Sequence, residues 1–426
     1  MHAHFWQAFT LLRRYPAFGR FWAAKLVSLL GDHMTFIALP WFVFQITHSG
    51  TVTAGVLLCL QLPALLTGLL FGSLIDRFQP RTIMAVDNAL RTLIVGLIPL
   101  LYWLDKLPLW LLFLLAILAG MLQPATTVGE RTLLPELVAD EDLEEANMLW
   151  SLSQNLSVVI GPAIAGILVA AFGGPFVLLI DALSFALMAL IAATLPTLIR
   201  TTTTTFVPLA ERLGLRQLWD LKVVRLTTLL SLVFFFSYGP LEAALPIYSA
   251  TVLQTDARGY GLLWSALGVG ALLGTVASTA LSQRLRVGIA LPLIALLWGA
   301  TLLPLVLTRQ LWLACALLGL GGLMWGPYTP LETTLLQRSG PKEQLGRVFG
   351  ARSALLTSGA PFGLAIGGVL LAFVPATALI ILSGLACVLV GLGGLALPTL
   401  RNLELPAAKS SASLTEQGVD VIATRS

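Results

Sequence analysis

Apolar positions along this chain gather into runs of about 20 residues or more, the length a helix needs to cross roughly 30 Å of hydrocarbon. Twelve such runs are predicted as spanning helices, at 20–46, 52–75, 82–103, 109–133, 147–171, 175–197, 224–249, 260–282, 287–307, 310–336, 348–372 and 375–397. An even number of spans returns both ends of the chain to one side of the membrane. The link from Leu198 to Val223 is the longest and most polar internal one. It carries the threonine run Thr201 to Thr205, then Glu211, Arg212, Arg216, Asp220 and Lys222. The expected organisation is therefore a six-helix bundle at 1–197, a cytoplasmic linker at 198–223, a second six-helix bundle at 224–400 and a polar, disordered cytoplasmic tail at 401–426.

The two sets of spans repeat one another weakly. Gly120-Met121-Leu122 with Glu130-Arg131-Thr132-Leu133-Leu134 aligns at a constant offset of 202 with Gly322-Leu323-Met324 and Glu332-Thr333-Thr334-Leu335-Leu336, so span 4 corresponds to span 10. Likewise Gly161, Pro162 and Gly166 in span 5 answer Pro361, Gly363 and Gly367 in span 11. The fold class expected is an all-α membrane protein of two pseudo-repeats.

Composition agrees. Of 426 residues 57% are hydrophobic and 11% charged, with mean hydropathy +0.89, against about 25% charged residues in a soluble domain. The net charge of +4 is dispersed through short loops, which argues against a nucleic-acid partner. Of the 25 Lys and Arg, only Lys106, Arg258 and Arg309 fall in odd-numbered links, leaving 22 on the side of the N-terminus, the even links and the C-terminus. The positive-inside rule makes that side cytoplasmic. Tyr102, Trp103, Trp110, Tyr248, Tyr260 and Trp312 form an aromatic belt at the other side. Arg13, Arg14, Arg20 and Lys25 precede an apolar stretch without a small-residue cleavage site, so the first run reads as a retained span. Cys59, Cys315 and Cys387 lie singly in apolar runs, with neither a disulfide nor a metal pattern. No phosphate loop, no H-E-x-x-H and no G-x-S-x-G occurs, so no enzyme, metal, cofactor or ATP-driven pump is expected.

The link after span 2 reads G-S-L-I-D-R-F-Q-P-R over 72–81. Gly72, Asp76, Arg77 and Arg81 match the loop G-x-x-x-D-R-x-x-R-R of the major facilitator superfamily, although Pro80 stands where that pattern has its first closing basic residue. Further along, Gln123-Pro124-Ala125, Leu134-Pro135-Glu136-Leu137-Val138, Ile160-Gly161-Pro162, Gly239-Pro240, Leu245-Pro246 and Gly346-Arg347-Val348 resemble the branch containing macrolide efflux proteins and the enterobactin exporter. In span 5, Gly161, Pro162 and Gly166 match the packing motif of antiporter relatives, while Ser157 and Ala165 replace glycines. The resemblance implies that spans 1, 4, 7 and 10 line a central cavity, and that Asp76 caps the start of span 11 near Arg347. Gly72, Asp76, Arg77, Arg81 and Arg347 would then form a cytoplasmic gate.

Ionisable residues inside spans are costly and mark function by default. Asp32 lies about 12 residues, or roughly 18 Å, into span 1, and Glu242 lies nearer the outside in span 7; these two are the candidate proton-coupling groups. Asp87 and Arg91, one turn apart, read as a structural ion pair on one helix face. Asp181, Glu130 and Glu332 read as packing or gate contacts. Counting depth gives a substrate cavity of Asp32, Phe36, Gln123, Tyr238, Glu242 and Trp325, suited to amphipathic neutral or cationic molecules. The reading is a monomeric secondary exporter of amphipathic or hydrophobic compounds in the cytoplasmic membrane, by proton antiport with small-molecule substrate, protons and lipid as its partners. An uptake carrier, a lysophospholipid-type facilitator and a non-transporting receptor or scaffold are the alternatives. A reporter fused after Ser426 is expected to be cytoplasmic and a tag near Asp256 external; protection of that tag in intact cells would overturn the topology.

Overall fold

The computed structural model describes the backbone of residues 10–75, 79–196, 219, 222–284, 286–339 and 342–401, and the side chains of these except 68–75, 128, 131, 279–284, 337–339 and 342–351. The helices are α1 (Pro16–Thr47), α2 (Gly50–Ile75), α3 (Pro80–Trp103), α4 (Leu109–Leu137), α5 (Leu143–Phe172) and α6 (Gly174–Thr194). They are followed by α7a (Lys222–Phe236) and α7b (Tyr238–Thr251), α8 (Ala257–Arg284), α9 (Val287–Leu305), α10a (Leu311–Trp325) and α10b (Tyr328–Ser339), α11 (Lys342–Leu370) and α12 (Ala376–Ala396). With the halves of spans 7 and 10 joined, 12 helical segments are long and apolar enough to cross a membrane. The linker 198–223 is described only at 219, 222 and 223, and the tail only at Arg401; the rest of both lies outside the described residues.

Packing follows the repeat. α1 lies against α5 and α6, α2 against α4, and α3 against α4 and α6; six places on, α7 lies against α11 and α12, α8 against α10, and α9 against α10 and α12. The largest contacts between the sets are those of α5 with α8 and of α2 with α11, and α7b and α8 also touch α1. Close approach in lipid comes from small residues, because apolar side chains gain nothing from leaving one hydrocarbon for another. A Cβ at Gly120 on α4 would stand 2.0 Å from the Leu60 carbonyl oxygen of α2, and one at Gly322 on α10a 2.1 Å from that of Leu267 on α8. Glycines at equivalent places in the repeat thus permit equivalent contacts.

Spans 7 and 10 are both interrupted, at Ser237 and at Gly326–Pro327. Proline has no N–H to give the carbonyl four residues earlier, so Pro240 leaves the Phe236 carbonyl and Pro327 the Leu323 carbonyl without that helical bond. Each freed carbonyl faces a glycine on a neighbouring helix: a Cβ at Gly363 would be 2.0 Å from Phe236 O, and one at Gly274 2.2 Å from Leu323 O.

At the face where the described chain begins and ends, here the terminal face, Tyr15 donates to Asp142 Oδ2 at 2.7 Å and Arg14 pairs with the same oxygen at 2.9 Å. The Tyr15 hydroxyl is held above the usual phenol range chiefly by that hydrogen bond. Arg81 donates to the Leu195 carbonyl at 2.6 Å and so closes the C-terminal end of α6, where a cation also meets the negative end of the helix dipole. Gly120→Leu or Gly322→Leu is expected to cost about 1–3 kcal/mol by overpacking, read as a lowered Tm in detergent. Gly393→Ala, at a position with nothing within 4 Å, should leave Tm unchanged.

Candidate functional site

A cavity of about 300 Å³ lies at mid-depth between the two sets of spans. Its aromatic walls are Phe36 on α1, Tyr238 on α7b, Trp264 on α8 and Trp325 on α10a. These rings hold one another at angles: Phe36 meets Trp264 edge-on at 4.8 Å between centroids, and Tyr238 reaches Trp264 at 5.7 Å and Trp325 at 5.1 Å. Behind them Trp325 rests on Phe234 at 4.9 Å and on Trp298 at 5.2 Å. His33 on α1, Val158 and Pro162 on α5, and Leu267, Gly268 and Ala271 on α8 make up the rest of the lining. Such a chamber offers flat apolar faces and two polar tips, His33 and Tyr238.

Beyond the cavity, towards the distal face, the two sets press together. A Cβ at Gly166 would be 2.6 Å from the Ala257 carbonyl oxygen, one at Gly261 2.3 Å from that of Pro162, and Ser265 donates to Val159 O at 2.8 Å. Trp41 stacks on Tyr260 at 5.7 Å. On the opposite flank a Cβ at Gly368 would meet Ala54 Cβ at 2.6 Å, and Gln61 of α2 donates to Glu242 Oε1 of α7b at 2.7 Å.

Of the residues expected to line the cavity, Phe36, Tyr238 and Trp325 do so. Asp32, Gln123 and Glu242 do not. Glu242 is only 2% exposed and is taken up by Gln61. Gln123 is exposed on α4 away from the lining. Counting along a helix fixes depth, whereas the direction in which a side chain points depends on how the helix is rotated against its neighbours. The expected pair of Asp87 with Arg91 is replaced: Arg91 Nη2 bonds Asp32 Oδ1 at 2.7 Å, while Asp87 Oδ2 receives the Thr126 hydroxyl. Packing brings α1 close enough to outcompete the local i, i+4 partner.

Gly161 presses on α1, where its Cβ would be 2.6 Å from His33 Cβ, so Gly161, Pro162 and Gly166 all sit at contacts of α5 with α1, the cavity or α8. In the gate motif, Arg81 is bonded to Leu195 O, and Gly72 and Arg347 are helical in backbone. Asp76 and Arg77 lie outside the described residues.

Two further ion pairs escaped sequence reading. Lys25 of α1 meets Glu130 of α4 at 2.5 Å, both nearly buried, with Lys25 5.8 Å above the Trp150 ring. In the second set Arg352 of α11 pairs with Glu332 of α10b, whose carboxylate also takes the Ser231 hydroxyl, while Tyr328 reaches Ser231 at 2.8 Å. Glu130 and Glu332 are the repeat-equivalent residues already noted, but their cations come from different helices. The sequence signal was there in part, since Lys25 and Arg352 are cations inside otherwise apolar stretches.

Twelve spans in two equivalent sets around a central chamber define a membrane transporter of the major facilitator kind. The chain belongs to the family described as Transmembrane secretion effector, whose model matches residues 7–425, and so to that superfamily. It is similar to the multidrug efflux pump Tap of Mycobacterium tuberculosis, 29% identical over 395 residues that cover 90% of this chain and 93% of Tap. The enterobactin exporter EntS of Salmonella typhi is 28% identical over 406 residues, covering 90% and 92%. Among solved structures, a bacterial homologue of the iron transporter ferroportin in an inward-facing state superposes with TM-score 0.70 at 19% identity, over 90% of this chain and 99% of that one. The nucleoside transporter NupG does so with TM-score 0.71 at 12% identity, over 89% and 98%.

Removing one member of a buried pair strands the other charge, at a cost of about 3–5 kcal/mol. Lys25→Ala is therefore expected to lower Tm sharply in detergent. Lys25→Met with Glu130→Gln should recover most of the loss, and a double variant no better than the single one would deny the pair its structural weight.

Proposed function

We propose that the protein is a secondary active exporter of amphipathic or hydrophobic small molecules, worked by proton antiport with alternating access. The observation that carries this reading is the aromatic chamber between the two sets of spans, sealed towards the distal face, with the Asp32–Arg91 pair beside it on α1 and α3. The names of the relatives Tap and EntS point the same way, to export. The moving units are the halves 1–197 and 224–400, joined by 198–223, and the working protein is a monomer with both termini in the cytoplasm. Gly72, Asp76, Arg77, Arg81 and Arg347 form the cytoplasmic gate.

The chamber shapes the substrate. Its described lining contains no carboxylate, since Asp32 and Glu242 are engaged elsewhere. Ring faces and the tips of His33 and Tyr238 favour flat, largely uncharged aromatic molecules with a hydrogen-bonding edge. Drug-like and siderophore-like compounds both contain such parts.

Asp32 is the proton carrier. Its side chain is 30% exposed while that of Arg91 is 10% exposed, so the acid is the more accessible member of the pair. A proton arriving from outside neutralises the carboxylate and weakens its bond to Arg91; release to the cytoplasm restores it. Substrate sits against His33, the next residue, so displacement of α1 is felt in both places.

Proteoliposomes with an imposed pH gradient and a fluorescent amphipathic dye test this. Wild type should accumulate dye against its gradient, and Asp32→Asn should only equilibrate it. Should Asp32→Asn still accumulate dye while Glu242→Gln does not, the carrier is Glu242.

A further inference from the structure

Among the described residues two side-chain hydrogen bonds cross between the sets. Gln61 Nε2 of α2 donates to Glu242 Oε1 of α7b at 2.7 Å, and Ser265 of α8 donates to the Val159 carbonyl of α5 at 2.8 Å. They are not equivalent. Val159 lies within a helix, and a serine hydroxyl released from it can turn to the carbonyl four residues back in its own helix. Glu242 is 2% exposed, and Gln61 is the one hydrogen-bond partner of its carboxyl among the described residues.

The pair has a defined place in the seam between the sets. Gly50, Ala54, Leu57, Leu58 and Gln61 follow one another on a single face of α2, from its distal end inwards. A Cβ at Gly50 would press on Ile247 of α7b and Leu371 of α11. Ala54 and Leu57 form a buried cluster with Ala243 of α7b and Leu364 of α11. Gln61 and Glu242 come next, and Glu242 is one turn beyond the chamber wall Tyr238. This flank is therefore apolar from the distal surface inwards and ends, on the chamber side, in one polar pair.

We propose that Gln61 and Glu242 are distal gate residues: their bond holds α2 to α7b while the chamber is closed to the distal side, and it parts when the sets separate there to release substrate. This rests on the alternating-access part of the proposed function. The carboxyl accepts from the Gln61 amide whether or not it carries a proton, so the bond does not depend on the charge of Glu242. Apolar side chains in a lipid-embedded protein have little preference among partners, whereas a polar pair has one. When the flank opens, water reaches both groups and replaces the bond. When it closes without the amide, the carboxyl is buried unsatisfied. The pair thus favours the closed flank by a modest factor, which suits a gate that must reopen in every cycle.

Pulsed EPR distances across the distal face test this at one fixed pH. Labels are placed at Lys106→Cys and Arg309→Cys, both exposed and one in each set, with Cys59, Cys315 and Cys387 replaced by alanine. Gln61→Leu should raise the ratio of the long, distal-open distance to the short one by about fivefold. The exchange of Gln61→Glu with Glu242→Gln rebuilds the bond in reverse and should return the ratio to that of the parent. Ser265→Ala strands no buried group and should shift it less. An unchanged ratio in Gln61→Leu, an exchange that stays shifted, or an equal shift in Ser265→Ala would overturn the gate while leaving the exporter reading in place. Should Gln61→Leu not fold, Gln61→Asn, whose amide is drawn back by one carbon, should shift the ratio the same way and decides alone. A single distance in every variant, with and without the amphipathic dye, would remove alternating access and this inference with it.

Discussion

A cation buried among membrane-spanning helices must keep a counter-charge, because no water is at hand to replace it. Arg91 obeys this through Asp32, Lys25 through Glu130 and Arg352 through Glu332. The three pairs differ in how firmly they are closed. Lys25–Glu130 and Arg352–Glu332 have side chains at most 7% exposed and are built into the terminal-side half of each set, where they fix helices to one another. Asp32 is 30% exposed in the pair with Arg91. The proposed proton coupling uses this difference: the pair with the more open acid is the one a proton would open.

Around these charges the helices are set by carbonyls and glycines. Gly120 and Gly322 bring α4 to α2 and α10a to α8 in the same manner, while Gly363 and Gly274 leave room for carbonyls that Pro240 and Pro327 have released. The breaks fall beside Tyr238 and Trp325, so two cavity walls stand at points where their helices are discontinuous. In the first set α1 and α4 continue through the corresponding depth. The proposed division of labour is a first set that carries the proton-sensitive cluster and a second that supplies hinged aromatic walls.

The twelve spans were legible from hydropathy alone, because the length of an apolar run is a local property. The repeat was legible at Gly120 and Gly322 for the same reason. Helix breaks were not, since Ser237 and Gly326 interrupt runs that remain apolar throughout. Partners across helices were the hardest to see: the i, i+4 rule joined Asp87 to Arg91, but rotation and approach of α1 give Arg91 to Asp32. Glu242 is taken up by Gln61 instead of lining the chamber, Gln123 is not among the lining residues, and Trp264 joins them from a helix outside the four expected to line it. Asp76 and Arg77, the clearest motif in the sequence, lie outside the described residues.

The central claim is that substrate and protons move in opposite directions through one protein, and the most direct test is to watch the proton. Reconstituted protein with a pH-sensitive dye trapped in the lumen, no imposed gradient, and an aromatic amphipath added outside should show the lumen turning alkaline as the compound enters. Entry of the compound with no change in lumenal pH, or with acidification, would contradict the account.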